Sequence, residues 1–431
     1  MKHSRFHHIT PLPGTKDVLL YHFFTGALMR LDPVQKRLFD FADELPDDDP
    51  FLQTWYKYGF MTPLDETEQL RKLARDSLEY RMKQAVGTLG LTLHVTSLCN
   101  FACPYCFQSR RSGHMSREVQ DQILRYTEKR LSEGNFSELS VGWFGGEPLL
   151  VPDIIDYLGH GFRSLAQKYC VSFTTNIHTN AYLLDQKMVD LLEDVGCGFV
   201  LITLDGYGEL HDQTRYLHGG GATFARIIDN LSNIRTSMIL NIRSNLHKGS
   251  AASYNVLCEE IRAIAAKTGN EMRCSPARVH VDRQVKDLTG IEELTAEEYH
   301  HIEAKTDLSE RSGVFEPTFG RCHIVQPNDY VIDDRGYVFA HCNVAAADES
   351  TAFCNITELD ESSFDIIEKR HAAFIYENFF PEDDKCLRCE KLPVCMGGCV
   401  MSRKRSGQPA CTENLLGADA FILKKYQSKA D

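Results

Sequence analysis

The chain of 431 residues lacks any run of about 18 consecutive apolar residues, so it contains no candidate membrane span. Its start, MKHSRFHHITPLPG, lacks the apolar stretch of a secretory signal, so we expect a cytoplasmic protein without a membrane partner. Positive charge is also scarce, because 47 lysines and arginines face 60 acidic residues and give a formal net charge of −13. Nucleic-acid binders need a basic footprint, so this balance disfavours nucleic acid as a partner.

Cysteine, in contrast, is abundant. The chain has 15 cysteines, an odd number that fits a disulfide framework poorly. In a reducing compartment disulfides are rare, and clustered cysteines more often bind metals. Four cysteines stand isolated in the sequence, and we expect them to be small core residues: Cys170, Cys197, Cys258 and Cys274.

The length predicts more than one domain, and the residue patterns divide the chain into segments 1–87, 88–300 and 301–431. In the first segment, residues 18–32 predict two short strands about Gly26, and Asp32 before Pro33 predicts a helix N-cap. The helix that follows would carry Val34, Leu38 and Phe41 on one face. Two further helices are predicted up to about residue 81. We interpret the segment as a small winged-helix-like module that could recognise a peptide; the alternative is that it only caps the next domain.

The second segment alternates strand-like and helix-like stretches six times. The six predicted strands are Leu91–Ser97, Leu139–Gly145, Val171–Thr179, Gly198–Asp205, Met238–Asn245 and Met272–His280. Alternation of this kind predicts a parallel sheet, because parallel neighbours need crossover helices. Six units are too few for a closed eightfold barrel. We therefore predict an α/β fold with a partial (β/α)6 barrel.

A polar motif follows each of the first five strands: CNFACPYC, GGEP, TNAYLL, TLDG and RSN. In a parallel β/α barrel the carboxyl ends of all strands lie on one face, so these motifs should converge. Gly145 and Gly146 would let the backbone approach a ligand closely, and Glu147 suits an ammonium group. Arg215, in HDQTR, could hold a carboxylate through two hydrogen bonds. An amine and a carboxylate held together describe an amino-acid ligand.

Residues 90–300 resemble the radical S-adenosylmethionine enzymes. The resemblance is carried by CxxxCxxC with an aromatic residue before its last cysteine, followed by GGEP and TLDG. It implies that Cys99, Cys103 and Cys106 bind three irons of a 4Fe–4S cluster, whose fourth iron takes the amine and carboxylate of S-adenosylmethionine. The implied cosubstrate contacts are Gly145, Gly146 and Glu147 at the amine, Thr203 and Arg215 at the carboxylate, and Tyr105 beside the adenine. Thr203 replaces an expected serine, and TNA replaces the commoner TNG, so the backbone there could differ.

The third segment is rich in cysteine, and CLRCEKLPVCMGGC has the spacing C-x2-C-x5-C-x3-C. Spacing alone leaves a zinc ribbon open. Because the barrel motifs precede it, the segment more closely resembles the SPASM extension. This resemblance implies two auxiliary 4Fe–4S clusters, and therefore three clusters in the chain. The resemblance implies an outer cluster on Cys386, Cys389, Cys395 and Cys411 and an inner one on Cys322, Cys342 and Cys399. No cysteine shortly precedes Cys322, so an inner iron could be open to substrate; the alternatives for the fourth ligand are Cys354 and His323.

The resemblance implies that the chain generates a 5′-deoxyadenosyl radical with an electron from a reductant such as flavodoxin or ferredoxin. Because SPASM proteins mostly act on peptides and proteins, we expect a maturase that oxidatively crosslinks a ribosomally made precursor peptide, through a thioether or carbon–carbon bond. An alternative is an anaerobic sulfatase-maturating type of enzyme, which oxidises a protein cysteine or serine to formylglycine. A non-catalytic zinc or iron–sulfur protein is an alternative of another class, but it would not need the GGEP, TLDG and HDxxR motifs. The residue that serves as catalytic base is not identified by the sequence.

Overall fold

The computed structural model describes residues 1–84, 87–108, 113–279, 291–295, 298–299, 302, 325–340, 349–409, 411 and 417–428. These residues form two compact units. The first holds the described parts of 1–84, 306–326 and 374–431, and the second holds those of 85–305 and 327–373. The two units have other boundaries than the three predicted segments, so the division into three domains stays a prediction. Among the described helices, none is long and apolar enough to cross a membrane.

The amino-terminal part of the first unit combines small antiparallel sheets with three helices. Its strands are β1 (Lys2–His3), β2 (His7–Pro11), β3 (Val18–His22), β4 (Leu28–Leu31) and β5 (Met61–Thr62), and its helices are α1 (Pro33–Asp40), α2 (Pro50–Lys57) and α3 (Glu66–Gln84). Strand β3 lies between β2 and β4, and β1 pairs with β5. The predicted hairpin and helix start are confirmed, because Gly26 has φ +71° and the Asp32 side chain caps α1.

The predicted face of α1 is wrong for Val34 and Phe41, whereas Leu38 is partly buried against the core as predicted. Val34 and Phe41 are exposed, and Phe39 is the residue of this helix that packs into the core, edge-on against Trp55 with ring centroids 5.1 Å apart. Helix α1 ends at Asp40, so Phe41 belongs to the turn after it and is not placed by the helical period. The winged-helix assignment of this module stays a prediction.

A mostly parallel sheet forms the centre of the second unit. Its six consecutive parallel strands are β6 (Thr88–Thr96), β7 (Glu138–Gly145), β8 (Ser172–Thr179), β9 (Cys197–Thr203), β10 (Ile239–Leu246) and β11 (Met272–Arg278). Each corresponds to a predicted strand; His280, the predicted end of the sixth, lies outside the described residues. The helices of this part are α4 (Arg117–Glu133), α5 (Pro152–Lys168), α6 (Gln186–Asp194), α7 (Glu209–Asp212), α8 (Phe224–Asn233), α9 (Lys248–Ala251) and α10 (Tyr254–Thr268).

Three further strands extend this sheet beyond β6. They are β12 (Asp329–Ile332), β13 (Tyr337–Phe339) and β14 (Cys354–Asn355), so the complete order is β11-β10-β9-β8-β7-β6-β12-β13-β14. Strand β12 runs parallel to β6, with Tyr330 opposite Leu91. The sequence pattern did not predict this pairing, because it joins two short stretches more than 200 residues apart.

The carboxyl-terminal helices are α11 (Asp365–Asn378), α12 (Asp384–Leu387), α13 (Leu392–Cys395), α14 (Val400–Ser406) and α15 (Ala418–Gln427). Between α13 and α14 the chain takes three successive left-handed residues, Met396 to Gly398, with φ between +48° and +81°. Glycine adopts this conformation at little cost, which explains two of the three residue types. The turn separates Cys395 from Cys399.

Candidate active site

The cysteine loop follows β6 and is held by the main chain of a distant segment. The Ala102 amide donates to the Tyr216 carbonyl at 2.8 Å, and the His218 amide donates to the Asn100 carbonyl at 3.0 Å. Segment 216–218 directly follows the HDQTR motif, so this motif and the cysteine loop are fixed to each other. The three thiols of the loop, at Cys99, Cys103 and Cys106, are all free of disulfide bonds.

The two glycines of GGEP pack against the same loop. A Cβ on Gly145 would lie 2.3 Å from the Thr96 carbonyl oxygen, and a Cβ on Gly146 would lie 2.0 Å from that of Leu98. Gly145 also has φ +121°. The Gly146 amide donates to the Thr96 carbonyl and the Glu147 amide to the Leu98 carbonyl, both at 2.8 Å. Glycine is therefore required here by backbone packing, which the sequence analysis attributed to the approach of a ligand.

The chemistry of the thiols fits an iron–sulfur cluster. Burial raises the pKa of the Cys99 thiol to about 12, and the negative charges of Glu147, Cys103 and Cys106 contribute to this increase. Thiolates crowded in this way are favoured only when metal cations balance their charge. Within the described ranges, no three histidine, cysteine or acidic side chains converge on one metal ion. A cluster does not require such convergence, because each cysteine ligates its own iron.

Tyr105, between the second and third cysteines, is anchored by two charged groups. Its hydroxyl donates to the Asp205 carboxylate and accepts from Nη1 of Arg215 at 2.9 Å. Asp205 is fully buried; its other oxygen accepts the amide of Asn245 at 3.0 Å, and Arg215 lies 3.9 Å away. Burial raises the pKa of the Tyr105 phenol well above its ordinary value. This network ties the cysteine loop to the ends of β9 and β10.

Arg215 retains one unused donor. Its guanidinium stacks 5.7 Å from the centroid of Phe101, and its buried Nε has no hydrogen-bond partner among the described residues. A buried guanidinium donor without an acceptor is costly, so it fits an anionic ligand such as a carboxylate. Thr203, the other predicted carboxylate contact, is half-buried at the carboxyl end of β9.

Glu147 is buried and accepts three hydrogen bonds within the protein. They come from the Thr179 hydroxyl at 2.7 Å, the Asn180 amide at 2.7 Å and the Leu149 amide at 3.1 Å. A carboxylate offers about four acceptor positions, so one remains for a ligand amine. Glu147 thereby also connects GGEP to the TNA motif.

The TNA motif keeps a glycine-like backbone. Ala181 has φ +60°, a left-handed conformation that glycine adopts without strain. The Asn230 side chain donates to the carbonyls of Ala181 and Tyr182, both at 2.9 Å, and holds this turn. The change from glycine to alanine therefore leaves the backbone conformation in place.

Two supporting groups were missed by the sequence analysis. The first is His211 of HDQTR, whose Nδ1 accepts the Asp205 amide at 3.2 Å and whose Nε2 contacts the Thr223 hydroxyl at 3.0 Å. Burial lowers the pKa of His211 well below its ordinary value, so the ring is neutral. The second is Asp334, after β12, which accepts the Ser97 hydroxyl at 2.9 Å. The histidine was visible in the motif, whereas nothing local marked the aspartate.

Four of the predicted auxiliary cysteines lie in the first unit and influence one another electrostatically. Burial raises the pKa of the Cys395 thiol to about 11, and the charges of Cys389, Cys386 and Cys411 add to this effect. These are the four residues predicted to hold an outer cluster. Cys322, Cys342 and His323, predicted at or near the inner cluster, lie outside the described residues. Cys354 is in β14 of the second unit, and burial raises the pKa of its thiol to about 11.

Residues of the amino-terminal module pack around the predicted auxiliary cysteines of the first unit. Cys386 is buried in one apolar cluster with Phe6, Leu73, Leu392 and Met396. His8 of β2 bridges Glu390 at 2.8 Å and Asp419 at 2.9 Å. Glu390 follows Cys389 directly. Strand β2 and helix α3 therefore pack against the segment that contains the predicted auxiliary cysteines. The sequence analysis had separated the two regions.

Comparison with protein families gives one match in this region. Residues 93–249 match the sequence profile of the Radical SAM superfamily. This part of the chain is similar to a radical SAM domain. The match begins in β6 and covers the cysteine loop, GGEP, TLDG and HDQTR motifs described above. It agrees with the three free thiols and the unpartnered Arg215 donor.

Relatives and solved structures extend the comparison. Sporulation killing factor maturation protein SkfB of Bacillus subtilis is 26% identical over 158 residues, 36% of each chain. The serine-type anaerobic sulfatase-maturating enzyme of Bacteroides thetaiotaomicron is 23% identical over 145 residues, 32% of this chain and 34% of that protein. The chain spans a third to a half of the length of the first curated relatives it matches.

Two structures match over most of the chain. The structure of anSMEcpe with bound AdoMet and a peptide has 16% identity and a TM-score of 0.56, covering 80% of this chain and 100% of that one. Streptococcus suis SuiB bound to precursor peptide SuiA has 15% identity and a TM-score of 0.53, covering 95% and 97%. At this identity the likeness shows a common fold, which is the α/β fold with a mostly parallel central sheet.

Proposed function

We propose that the chain is a radical SAM enzyme that oxidatively modifies a ribosomally made peptide. The observation that carries the proposal is the junction of the cysteine loop, the two glycines of GGEP and Arg215, which joins three free thiols to an unused guanidinium donor. A metal centre and an anionic ligand would both be satisfied there. An electron carrier or a zinc-stabilised binding module would need the thiols for a metal centre, but it would not need a donor for an anionic ligand.

Cys99, Cys103 and Cys106 would hold the 4Fe–4S cluster. Arg215 Nε and Thr203 would bind the carboxylate of S-adenosylmethionine, and Glu147 with Gly145 and Gly146 would face its amine. When bound, the cluster and S-adenosylmethionine supply a carbon-centred radical that can remove a hydrogen atom from an unactivated carbon. The Tyr105 hydroxyl is held by Asp205 and Arg215. It would therefore fix the position of the cysteine loop relative to the part of the pocket that binds adenine.

The auxiliary cysteines would hold two further 4Fe–4S clusters, one of them on Cys386, Cys389, Cys395 and Cys411. The raised pKa of the Cys395 thiol, to which the charges of the other three contribute, supports this assignment, because metal binding relieves such repulsion between thiolates. Cys322, Cys342 and Cys399 would hold the inner cluster, with its fourth ligand not assigned. Auxiliary clusters would accept the electron left on the substrate, and flavodoxin or ferredoxin would supply the first electron.

A peptide substrate is supported by two comparisons. SkfB is named as a maturation protein of a killing factor, and SuiB was solved with its precursor peptide. The sulfatase-maturating relative supports the second candidate, a formylglycine-forming enzyme. The match to SuiB over 95% of this chain, against 80% for anSMEcpe, includes the amino-terminal module and favours the peptide maturase.

The test is anaerobic reconstitution with iron and sulfide, followed by incubation with S-adenosylmethionine, dithionite and precursor peptides encoded near the gene. We expect about twelve irons per chain, formation of 5′-deoxyadenosine, and a peptide that is about two daltons lighter through loss of two hydrogens. Cys99→Ala should abolish 5′-deoxyadenosine, whereas Cys170→Ala should not, because Cys170 lies outside both sites and is exposed, contrary to its prediction as a core residue. A wild-type protein that binds zinc instead of iron would refute the proposal.

A further inference from the structure

The central sheet has one face covered by helices, and its other face is more open among the described residues. Along its strands, Ile177, Val200 and Ile242 are fully buried, and they alternate with His178, Leu201 and Arg243, which are exposed or half-buried. Successive side chains of a strand point to opposite faces. His178, Leu201 and Arg243 therefore share the face that the helices leave open.

A row of rings crosses this face from β6 to β8. His94 and Phe144, opposite each other in register, have centroids 5.0 Å apart, and Phe144 and His178 have centroids 4.9 Å apart. Desolvation by the side chains around it lowers the pKa of His178, and the positive charge of Arg243 contributes, although part of the residue is exposed to solvent. The imidazole is therefore neutral at pH 7, and the row ends on β8, two strands from Arg243 of β10.

Arg243 carries that charge at the carboxyl end of β10, next to the candidate active site. Its register partners are Thr203 of β9 and Ser275 of β11, and its Nε donates to the Asn245 amide oxygen at 3.1 Å. Its side chain is exposed and forms no ion pair with any described residue. On β11, in contrast, Arg273 pairs with Glu271 and Arg278 with Glu293.

We propose that Arg243, with Phe144 and His178 of the ring row, forms a subsite for a carboxylate side chain of the substrate, an aspartate or glutamate near the modified residue; His94 is buried and supports Phe144 from behind. The proposal rests on the proposed function, because it names what the peptide presents to the radical. The two Nη groups of Arg243 can bind a carboxylate through two hydrogen bonds. The rings of Phe144 and His178 add contact area.

The cosubstrate is the other source of a carboxylate at this end of the sheet. The unpartnered Arg215 Nε provides a separate, buried donor for it, fixed to the cysteine loop through Tyr105. Arg243 lies on the open face, in register with Thr203, where a second anion can approach from solvent. Two guanidinium groups in different surroundings are expected to serve two different carboxylates.

The test uses two probes that differ only in charge, N-acetyl-aspartate methylamide and N-acetyl-asparagine methylamide, titrated by NMR into the reconstituted full chain with S-adenosylmethionine present. We expect the aspartate probe to bind about tenfold more tightly. In Arg243→Gln the difference should disappear, and in Arg243→Lys it should be reduced. Arg226→Gln, which removes the same charge from the exposed side of α8, should keep it.

Equal binding of the two probes to the wild-type chain, or a preference that survives in Arg243→Gln, would overturn the proposal. A second measurement separates the two carboxylate sources. Equilibrium dialysis should give Arg243→Gln a Kd for S-adenosylmethionine within about threefold of the wild type, and a loss of tenfold or more would assign Arg243 to the cosubstrate instead. Failure of the wild-type chain to bind S-adenosylmethionine at all would refute the proposed function and not the subsite alone.

Discussion

Replacing Gly146 with alanine should disrupt the junction between GGEP and the cysteine loop even when no ligand is bound. The new Cβ would lie 2.0 Å from the Leu98 carbonyl oxygen and 2.5 Å from its carbonyl carbon. Both are backbone atoms of the loop, so no flexible side chain can move aside. The loop and the turn must therefore separate.

The expected cost follows from two contributions. Overpacking of a fixed contact costs about 1–3 kcal/mol. Separation also weakens two backbone hydrogen bonds, from Gly146 to Thr96 and from Glu147 to Leu98, at about 1 kcal/mol each. The sum is about 3–5 kcal/mol, which for a unit of this size lowers Tm by roughly 10 °C.

The assay is thermal unfolding of the cluster-free chain followed by circular dichroism, with iron content measured after reconstitution. Gly142→Ala is the matched control on the strand that precedes Gly146, because its Cβ would meet only side-chain atoms, at 3.4 Å or more. We expect Gly142→Ala to stay within about 2 °C of the wild type. The packing argument would fail if Gly146→Ala unfolded like this control without ligand and lost function only when S-adenosylmethionine was added.

Three further changes test other contacts. Tyr105→Phe leaves the buried carboxylate and guanidinium beside it without their shared hydroxyl, so we expect a loss of about 1–3 kcal/mol in unfolding experiments and poorer iron retention. His22 is buried with its pKa lowered to about 3, so the unfolded state binds a proton more readily: stability is full above pH 6.5 and falls as the pH is lowered towards 3. His22→Gln should flatten this dependence, measured by the fluorescence of Trp55 in a Trp143→Phe background. Ala181→Gly should relieve a left-handed alanine and raise stability by about 0.5–1 kcal/mol in denaturant titrations.

The parallel sheet could be predicted from sequence because its signals are local. Each strand is a short apolar run followed at once by a polar motif, and crossover helices with clear periodicity separate the strands. The six predicted strands all exist, and their order in the sheet follows the chain. Placing the motifs at the carboxyl ends then required only the rule that parallel strands end on one face.

The contacts that hold the motifs together could not be predicted in the same way. Tyr105 was assigned to an adenine pocket from the resemblance, but its hydroxyl also contacts Asp205 and Arg215, which lie 100 and 110 residues further along the chain. The role of Gly146 was assigned to a ligand, whereas the nearest obstacle to a side chain is the Leu98 carbonyl. Such roles depend on which backbone lies opposite, and neither spacing nor composition records that.

The placement of the amino-terminal module gives the least expected constraint on function. Cys386 shares a buried cluster with Phe6 and Leu73, and His8 reaches Glu390 beside Cys389. If the module binds a peptide, the binding surface and the auxiliary cysteines belong to one packed unit. A strain applied to β2 or α3 by a bound peptide would then be transmitted to the thiols through direct contacts, because a close-packed core passes on displacement. Recognition of the substrate and the state of the auxiliary site are therefore expected to depend on each other.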